Sequence, residues 1–449
     1  MTPEDVQRIA DRVVAQARPG EAIEAVVSWG RETEVRAYDG DVEHFVSAES
    51  AGVGIRVVED RRQGLGWVGV LEDEALADCL AAARDNARFS SPDPHAGLAE
   101  PDGVVPPDLT LVDERLALVP TEHKIAAAID LEAAVRAGDP RMVGVESADY
   151  ADAQVVSAIT STTGIRVAGA ESSAYLGAYA LAADARGTTT GFGYTVARGF
   201  DDLDAAAAAR DAVDRSVRLL GADTARSRRL TVVLDPYVTS QLLGLVAEML
   251  SGEAVLRGRT PFADRVGDSV ASPLVTLVDD ATDPAAPTAS DVDGEGLACR
   301  QVELITEGRL RGFLHNAYTA RALGARSTGS AQRGSYRGAP SVGPHVISLR
   351  PGDTSPEELL AQVGEGLWVH ELVGLHSGVN PVSGDLSVGV EGQLLRAGAP
   401  AEPVREVTIA STIQRLLDDV VAVGNDLTRF PWEASGVTLA AADVMMSGR

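Results

Sequence analysis

Seven histidines, two cysteines and a single lysine are the side chains that most narrowly limit the chemistry open to this chain. The most suggestive string is His370-Glu371-Leu372-Val373-Gly374-Leu375-His376. A zincin helix places two histidines at i and i+4, ~40° apart, so that both reach one ion. Here the spacing is i+6, which on a helix leaves the rings ~120° apart. On a strand they share a face but stand ~20 Å from each other, against metal–ligand bonds of ~2 Å. Only a bend at Gly374 would join them, so the string reads as a strand or loop start carrying two unrelated histidines.

Two other strings invite chemistry. Gly64-Leu65-Gly66-Trp67-Val68-Gly69 fits G-x-G-x-x-G. A dinucleotide site needs that pattern at a turn opening a helix, where the helix N-terminus meets the pyrophosphate. These glycines fall inside an expected strand, and hairpin glycines explain them better. Asp291-Val292-Asp293-Gly294-Glu295-Gly296 resembles the first half of a calcium loop, with oxygens at positions 1, 3 and 5 and glycine at 6. Val302 stands where the bidentate acid of position 12 belongs. A solvated acidic turn is expected over a cation site at Asp291, Asp293 and Glu295. There is no G-x-S-x-G elbow, and no cysteine lies near a histidine in sequence. His315, His345 and His376 remain the histidines through which an unrecognised enzyme site would work.

The lysine excludes more than any motif includes. Lys124 follows His123, so the Gly-Lys-Ser/Thr of a phosphate-binding loop is absent. Cys79 and Cys299 are too few for a disulfide scaffold or a cysteine-rich zinc site. The 39 Lys+Arg against 66 Asp+Glu give a net charge of −27. That balance argues against a nucleic-acid groove, which needs a basic footprint, and against an anionic membrane surface. Hydrophobic residues at 45% and charged residues at 23% are those of a globular protein, while 4% aromatics leave the core to Ala, Val and Leu. Met1-Thr2-Pro3-Glu4-Asp5 opens a helix without a signal-peptide pattern, and no apolar run approaches ~20 residues. The cytoplasm is the expected location.

At 449 residues the chain exceeds a typical domain of ~100–200, so two domains are expected. Helices are predicted over 4–18, 72–89, 121–137 and 203–220. Short strands are predicted over 22–29, 34–38, 43–48, 52–58 and 64–70, then over 142–150, 153–161, 164–171, 173–183 and 188–197. Gly-Ile-Arg-Val at Gly54 and again at Gly164 is a faint internal echo. The arginine-rich Ala225–Arg229 stretch marks the boundary, giving domains over 1–225 and 226–449. Asp235-Pro236 supplies an N-cap and a first-turn proline for a helix striped by Val238, Leu242, Leu245, Val246 and Met249. Strands follow over 275–278, 302–306, 311–314 and 388–396, with helices over 356–363 and 411–421. Strands clustered apart from helices give an α+β class: a mixed N-terminal sheet-and-helix domain and a C-terminal domain rich in antiparallel strands.

The segment His376-Ser377-Gly378-Val379-Asn380-Pro381-Val382-Ser383-Gly384-Asp385-Leu386-Ser387-Val388-Gly389 resembles the signature of the TldD/PmbA family, on its PmbA (TldE) side. Pro403 to Ala410, Val423-Gly424-Asn425-Asp426-Leu427, Ser272 to Asp280, Asp293 to Gly296, Ser327-Thr328-Gly329 and Gly52 to Val57 fit the same family in order. The resemblance implies a subunit of a metallopeptidase complex acting on unfolded or leader-type peptides. It also implies a TldD-type zinc peptidase chain as heterodimer partner, with a self-paired, non-hydrolytic peptide-binding or maturation protein as the alternative. TldD-type chains of the family carry H-E-x-x-x-H on a helix, with a distal cysteine completing the zinc site. That helix matches the one beginning at Asp235-Pro236, where the ligand positions are Ala247 and Gly252 and only Glu248 is retained. No cysteine lies near Ser383-Gly384-Asp385. The resemblance therefore implies a chain with no zinc of its own, the zinc being on the partner, and nominates His376, Asn380 and Asp385 as peptide contacts. The competing reading of Gly378, Asn380, Pro381 and Gly384 is a tight turn.

Overall fold

A computed structural model describes all 449 residues. Its N-terminal half is built twice. Thr2 caps helix α1 (Pro3–Val14), its hydroxyl accepting from Asp5 N while the Asp5 carboxylate accepts from Thr2 N. Strands β1 (Ala22–Tyr38), β2 (Asp41–Glu59) and β3 (Arg62–Val68) follow, then α2 (Asp73–Phe89). The same order then recurs as α3 (Thr121–Ala137), β4 (Met142–Ser161), β5 (Arg166–Asp184), β6 (Gly187–Ala197) and α4 (Ala205–Arg218). The six strands form one antiparallel sheet in the order β3-β2-β1-β4-β5-β6, so β1 and β4 join the two units at its centre.

Alternation along the strands assigns the two faces. Ile23, Ala25 and Val27 of β1 pack with α1 and α2, and Val35 and Ala37 pack with α3 and α4. All four helices therefore cover one face. Val26 points the other way, onto Leu297 and Ala317 of the C-terminal half.

Glycines set how closely the helices approach. A Cβ on Gly64 would collide with the backbone of Ala83 and Ala87 in α2, and one on Gly66 with Cys79 O. In the second unit, a Cβ on Gly191 or Gly193 would collide with Ser216, Ala212 or Ala208 of α4. The G-x-G of the supposed nucleotide motif thus lets a helix lie directly on an edge strand, and Gly191-Phe192-Gly193 repeats the device. The Gly54/Gly164 echo is unrelated to this repeat. It falls at the C-terminal end of β2 and at the start of β5, which are opposite ends of corresponding strands.

The sheet corrects several expected boundaries. The pairs of strands predicted over 22–38, 43–58, 142–161 and 164–183 are single strands of 17 to 20 residues. Backbone pairing on both sides carries β1 through its exposed Arg31 and Glu32, where the side chains stop alternating.

The C-terminal half starts with β7 (Arg228–Leu234), α5 (Pro236–Met249) and α6 (Gly252–Leu256). A small sheet follows, from β8 (Leu277–Asp280), β9 (Gln301–Thr306), β10 (Arg309–Leu310) and, after α7 (Ala317–Leu323), β11 (Ala331–Gln332) and β12 (Ser341–Val342), the strand β13 (Ile347–Leu349). Then come α8 (Pro356–Val363), β14 (Gly366–Val373), the one-turn α9 (Leu375–Gly378), β15 (Asp385–Arg396), β16 (Ala399–Thr412), α10 (Ile413–Asp418), β17 (Val420–Val423) and β18 (Leu439–Ser447). Strands run β16-β15-β14-β7-β18, and Thr408–Ala410 of β16 pair with Met445–Ser447 of β18 to close the sheet into a barrel. Its pairs are antiparallel except β14 with β7. Val232, Val369, Val388, Ile409 and Ala441 fill the core with the apolar stripe of α5. The whole is α+β.

Candidate functional site

Helix α5 starts as its sequence dictates. The Asp235 carboxylate accepts from Val238 N at 2.9 Å and Pro236 takes the first turn. Val238, Leu242, Val246 and Ala247 face the core, and the Ala247 methyl is 0% exposed. Glu248, about 100° further round, is exposed to solvent. The helix ends at Met249, and Ser251 caps the separate α6, its hydroxyl accepting from Ala254 N at 3.1 Å. Positions 247 and 252 thus belong to two helices with a break between them.

Across that break Gly252 N donates to Leu314 O at 2.8 Å, and Leu314 N donates to Leu250 O at 2.9 Å. This ladder seats His315 beside Gly252, so a Cβ at 252 would collide with the His315 ring and with Thr319 Cβ. His315 is buried, its Nδ1 lies 3.3 Å from Thr319 Oγ1, and burial lowers its pKa. At 247, 248 and 252 the chain offers a core methyl, a solvent-facing carboxylate and a hydrogen whose outward space is taken.

The two histidines of the 370–376 string are separate, as their spacing requires. His370 is buried on β14, where Arg218 Nη1 lies 3.2 Å from Nδ1 and Gln393 Oε1 lies 3.1 Å from Nε2. Arg218 belongs to α4, so His370 ties the two halves together. Gly374, at φ +77°, bends the chain into α9, and His376 is exposed there. Asn380 and Asp385 share the same exposed β14–β15 connection. Asn380 Oδ1 accepts from Val382 N at 3.0 Å, Asp385 Oδ2 accepts from Ser383 Oγ at 2.6 Å, and Asn380 N donates to Asp385 O at 2.9 Å. Gly384, at φ +79°, has its Cβ direction blocked by Gln414.

The expected solvated acidic turn is instead interior, because partners distant in sequence cover it. Asp293 is 2% and Glu295 1% exposed. The Asp293 carboxylate accepts from Glu295 N, Leu297 N and Ala331 N, at 2.9, 2.9 and 3.1 Å. Burial, reinforced by the neighbouring Glu295, pushes its pKa up to about 7 against those bonds. Glu295 Oε2 accepts from Ala317 N at 2.8 Å, while Oε1 lies 3.6 Å from Arg56 Nη2 with no hydrogen bond. Arg56 also bonds Glu24 at 2.7 Å, and Arg333 bonds Glu24 at 2.6 Å. Burial raises the Glu24 pKa, but the two guanidiniums more than offset it and hold the carboxyl below its ordinary value. Two acids and two arginines thus clamp β1 and β2 to the C-terminal half.

Profiles of the PmbA/TldA metallopeptidases match the chain in three stretches: domain 1 over residues 23–87, the central domain over 114–220 and the C-terminal domain over 227–448. The chain belongs to the PmbA/TldD metallopeptidase family. It is 27% identical to the metalloprotease PmbA of Escherichia coli O157:H7 over 86% of this chain and 84% of that one. A Thermotoga maritima protein, solved as a candidate modulator of DNA gyrase, superposes with TM-score 0.90 at 26% identity, covering 98% of this chain and all of that one. TldE of Thermococcus kodakarensis shares the fold, with TM-score 0.87 at 22% identity and 99% coverage of each chain. The domain 1 and central-domain matches fall on the two units of the single N-terminal sheet.

One pairing within this family member escaped sequence reasoning. Cys299 Sγ lies 3.8 Å from His345 Nε2, across 46 residues of chain. Both are buried. Burial drives the Cys299 thiol pKa far up and the His345 pKa down to about 4. A thiol and a neutral imidazole in that setting do not yield the thiolate a nucleophile needs. No local signal joins them; both approach Asp279, whose Oδ1 accepts from His345 N at 2.9 Å.

Proposed function

We propose that this chain is the subunit of a two-chain peptidase that carries no zinc of its own and walls the peptide chamber beside a TldD-type, zinc-bearing partner. The peptides are unfolded or leader-type segments. The observation that supports this most strongly is the α5–α6 break. Zinc needs imidazole, thiolate or carboxylate donors converging on one point. Ala247 and Gly252 supply none, Glu248 faces solvent, and His315 fills the space a side chain at 252 would need. This donor set does not fit zinc, so no step of hydrolysis is assigned to this chain.

Its own contribution is to hold and exclude. An extended peptide is gripped by backbone bonding to a strand and shielded from bulk water, while the metal chemistry proceeds on the other subunit. The exposed β14–β15 connection, with His376 and the side-chain amide nitrogen of Asn380, is the surface we assign to the peptide or partner; Asp385 braces it through Ser383.

The test is co-expression with a TldD-type chain, separation of the two, metal analysis of each and a peptidase assay on an unfolded peptide. Zinc on the partner alone, with turnover only when both chains are present, is expected. Zinc-dependent cleavage by this chain alone overturns the reading, and a stable self-dimer that ignores the partner favours a stand-alone binder. A sharper version installs Ala247→His and Gly252→His. Zinc uptake should still fail, and the His315→Ala change should be needed before any site forms.

A further inference from the structure

A cavity of about 390 Å³ lies where the outer face of β4–β6 meets the C-terminal half. No residue of α5, α6 or the 374–390 segment lines it. Its volume is near the low end of the ~300–1,000 Å³ of small-ligand sites. Three charged side chains border it, Glu171, Arg198 and Glu433, and none has an ion-pair partner within 4.0 Å. Arg198 spends two donors on carbonyls, Nη1 to Ser172 O at 3.3 Å and Nη2 to Ala289 O at 3.2 Å. Burial is the larger influence on the Arg198 guanidinium, and Glu171 offsets it only from beyond ion-pair distance, an arrangement that a directly bonded anion relieves. His345, also in the wall, is buried with Nδ1 lacking any hydrogen-bond partner. Tyr175 adds an aromatic surface.

A half-buried guanidinium in the wall and two exposed carboxylates at the rim, none in a close ion pair, match a small ligand that carries both signs itself. We propose that this cavity binds a free α-amino acid or short peptide as its zwitterion, carboxylate on Arg198, ammonium toward Glu171 and Glu433, and side chain against Tyr175. The guanidinium fork suits a carboxylate, and the two acids are left for the ammonium. This site does not depend on the partner-subunit reading: a chain that paired with no peptidase would still bind such a ligand.

Titration calorimetry on the full chain tests it, with L-leucine, trialanine, N-acetyl-trialanine and trialanine amide as probes. Saturable binding of trialanine or leucine is expected, and capping either end of trialanine should weaken it at least tenfold. Arg198→Gln should abolish the preference for the free carboxylate while keeping the preference for the free amine; Glu171→Gln with Glu433→Gln should do the reverse. Ser173→Trp, at an exposed wall position chosen to preserve folding, should block binding with an unchanged thermal melt. No saturation by either free probe, equal affinity for capped and free trialanine, or undiminished binding to folded Ser173→Trp overturns the proposal.

Discussion

The two α-β-β-β-α units of the N-terminal sheet share their order, their helix face and their paired glycines, yet their outer faces meet the C-terminal half through different chemistry. The first uses buried charge: Glu24 and Arg56 meet Arg333 and Glu295. Beside them, the backbone and ring of Tyr336 lie against Gly54 and Gly52 of β2. The second keeps one polar tie, Arg218 to His370, and otherwise uses aromatic rings. Phe192 and Tyr194 of β6 pack on Tyr237, Phe430 and Trp432, and the Arg215 guanidinium sits 4.3 Å from the Phe192 ring centre. The helix face repeats because each unit must bury the same apolar stripe. The outer face is free to diverge, since each half of it meets a different part of the barrel assembly. A charged clamp fixes one geometry and tolerates no missing partner, whereas a ring cluster offers area and leaves room nearby for a cavity.

The largest effect should come from breaking the charged clamp. Arg56→Ala leaves Glu24 and Glu295 buried with less compensation, and removing one member of such a set costs about 3–5 kcal/mol. Denaturant unfolding measures it; a loss below about 1 kcal/mol would mean the cluster is wet and the contrast between the units is wrong. Next come the glycines. Gly64→Ala and Gly191→Ala should each cost about 1–3 kcal/mol by forcing a helix off its strand. Similar losses at the two sites would confirm that one device serves both units, and a loss at only one would break the parallel.

A third prediction concerns pH. Between the ordinary carboxyl value near 4 and the native value of about 7, folded Asp293 keeps a proton that the unfolded chain has released. Its contribution to stability is therefore full below about pH 4 and is lost as pH rises to 7. Asp279, also raised to about 7 by burial, acts in the same direction. His345, lowered to about 4, acts oppositely, its contribution being lost as pH falls from about 6.5 to 4. Asp293→Asn removes one falling contribution, so the stability profile between pH 4 and 7 should tilt upward relative to the parent. The tilt is at most one proton, ~1.4 kcal/mol per pH unit. Unfolding curves at pH 5 and 7 check it, and parallel profiles would place Asp293 in contact with water.

Which of these features could be read in advance follows from the range of the interactions. Thr121–Ala137, set between Pro120 and Gly138, and the start of α5, with its Asp235 cap and Pro236, are local matters, and the sequence marks their ends. The sequence does not announce strands β16 and β18: β16 carries Pro400 and Pro403, and β18 opens on Leu-Ala-Ala-Ala, so neither alternates clearly. The acidic string reads as solvated because its own residues are polar. What buries it is Arg56, Ala317 and Ala331, the first more than 200 residues away. The G-x-G glycines and the helix over 72–89 are each legible in the sequence, but not that the one packs directly on the other, which the collisions at Gly64 and Gly66 show. At 247 and 252 the sequence shows an alanine and a glycine, and that these are ligand positions is what the family resemblance implies. That His315 occupies the adjoining space is legible in neither, since 63 residues separate it from Gly252.

The smallest predicted effect bears most directly on the two kinds of clamp. Tyr194 is largely enclosed by rings, and its hydroxyl is buried with no hydrogen-bond partner. Burial raises its pKa well above the ordinary phenol, as expected where a phenolate would be unsolvated. A buried hydroxyl left unbonded is destabilising by about 1–3 kcal/mol, a penalty that its deletion relieves in part. Tyr194→Phe should therefore leave stability unchanged or raise it by up to about 1 kcal/mol, the ring stacking on Phe192 being retained. In the first unit Arg56→Ala is a loss; here a polar deletion is neutral or a gain. A clear destabilisation by Tyr194→Phe would mean that the hydroxyl holds an ordered water, and that the ring cluster is a polar contact as well.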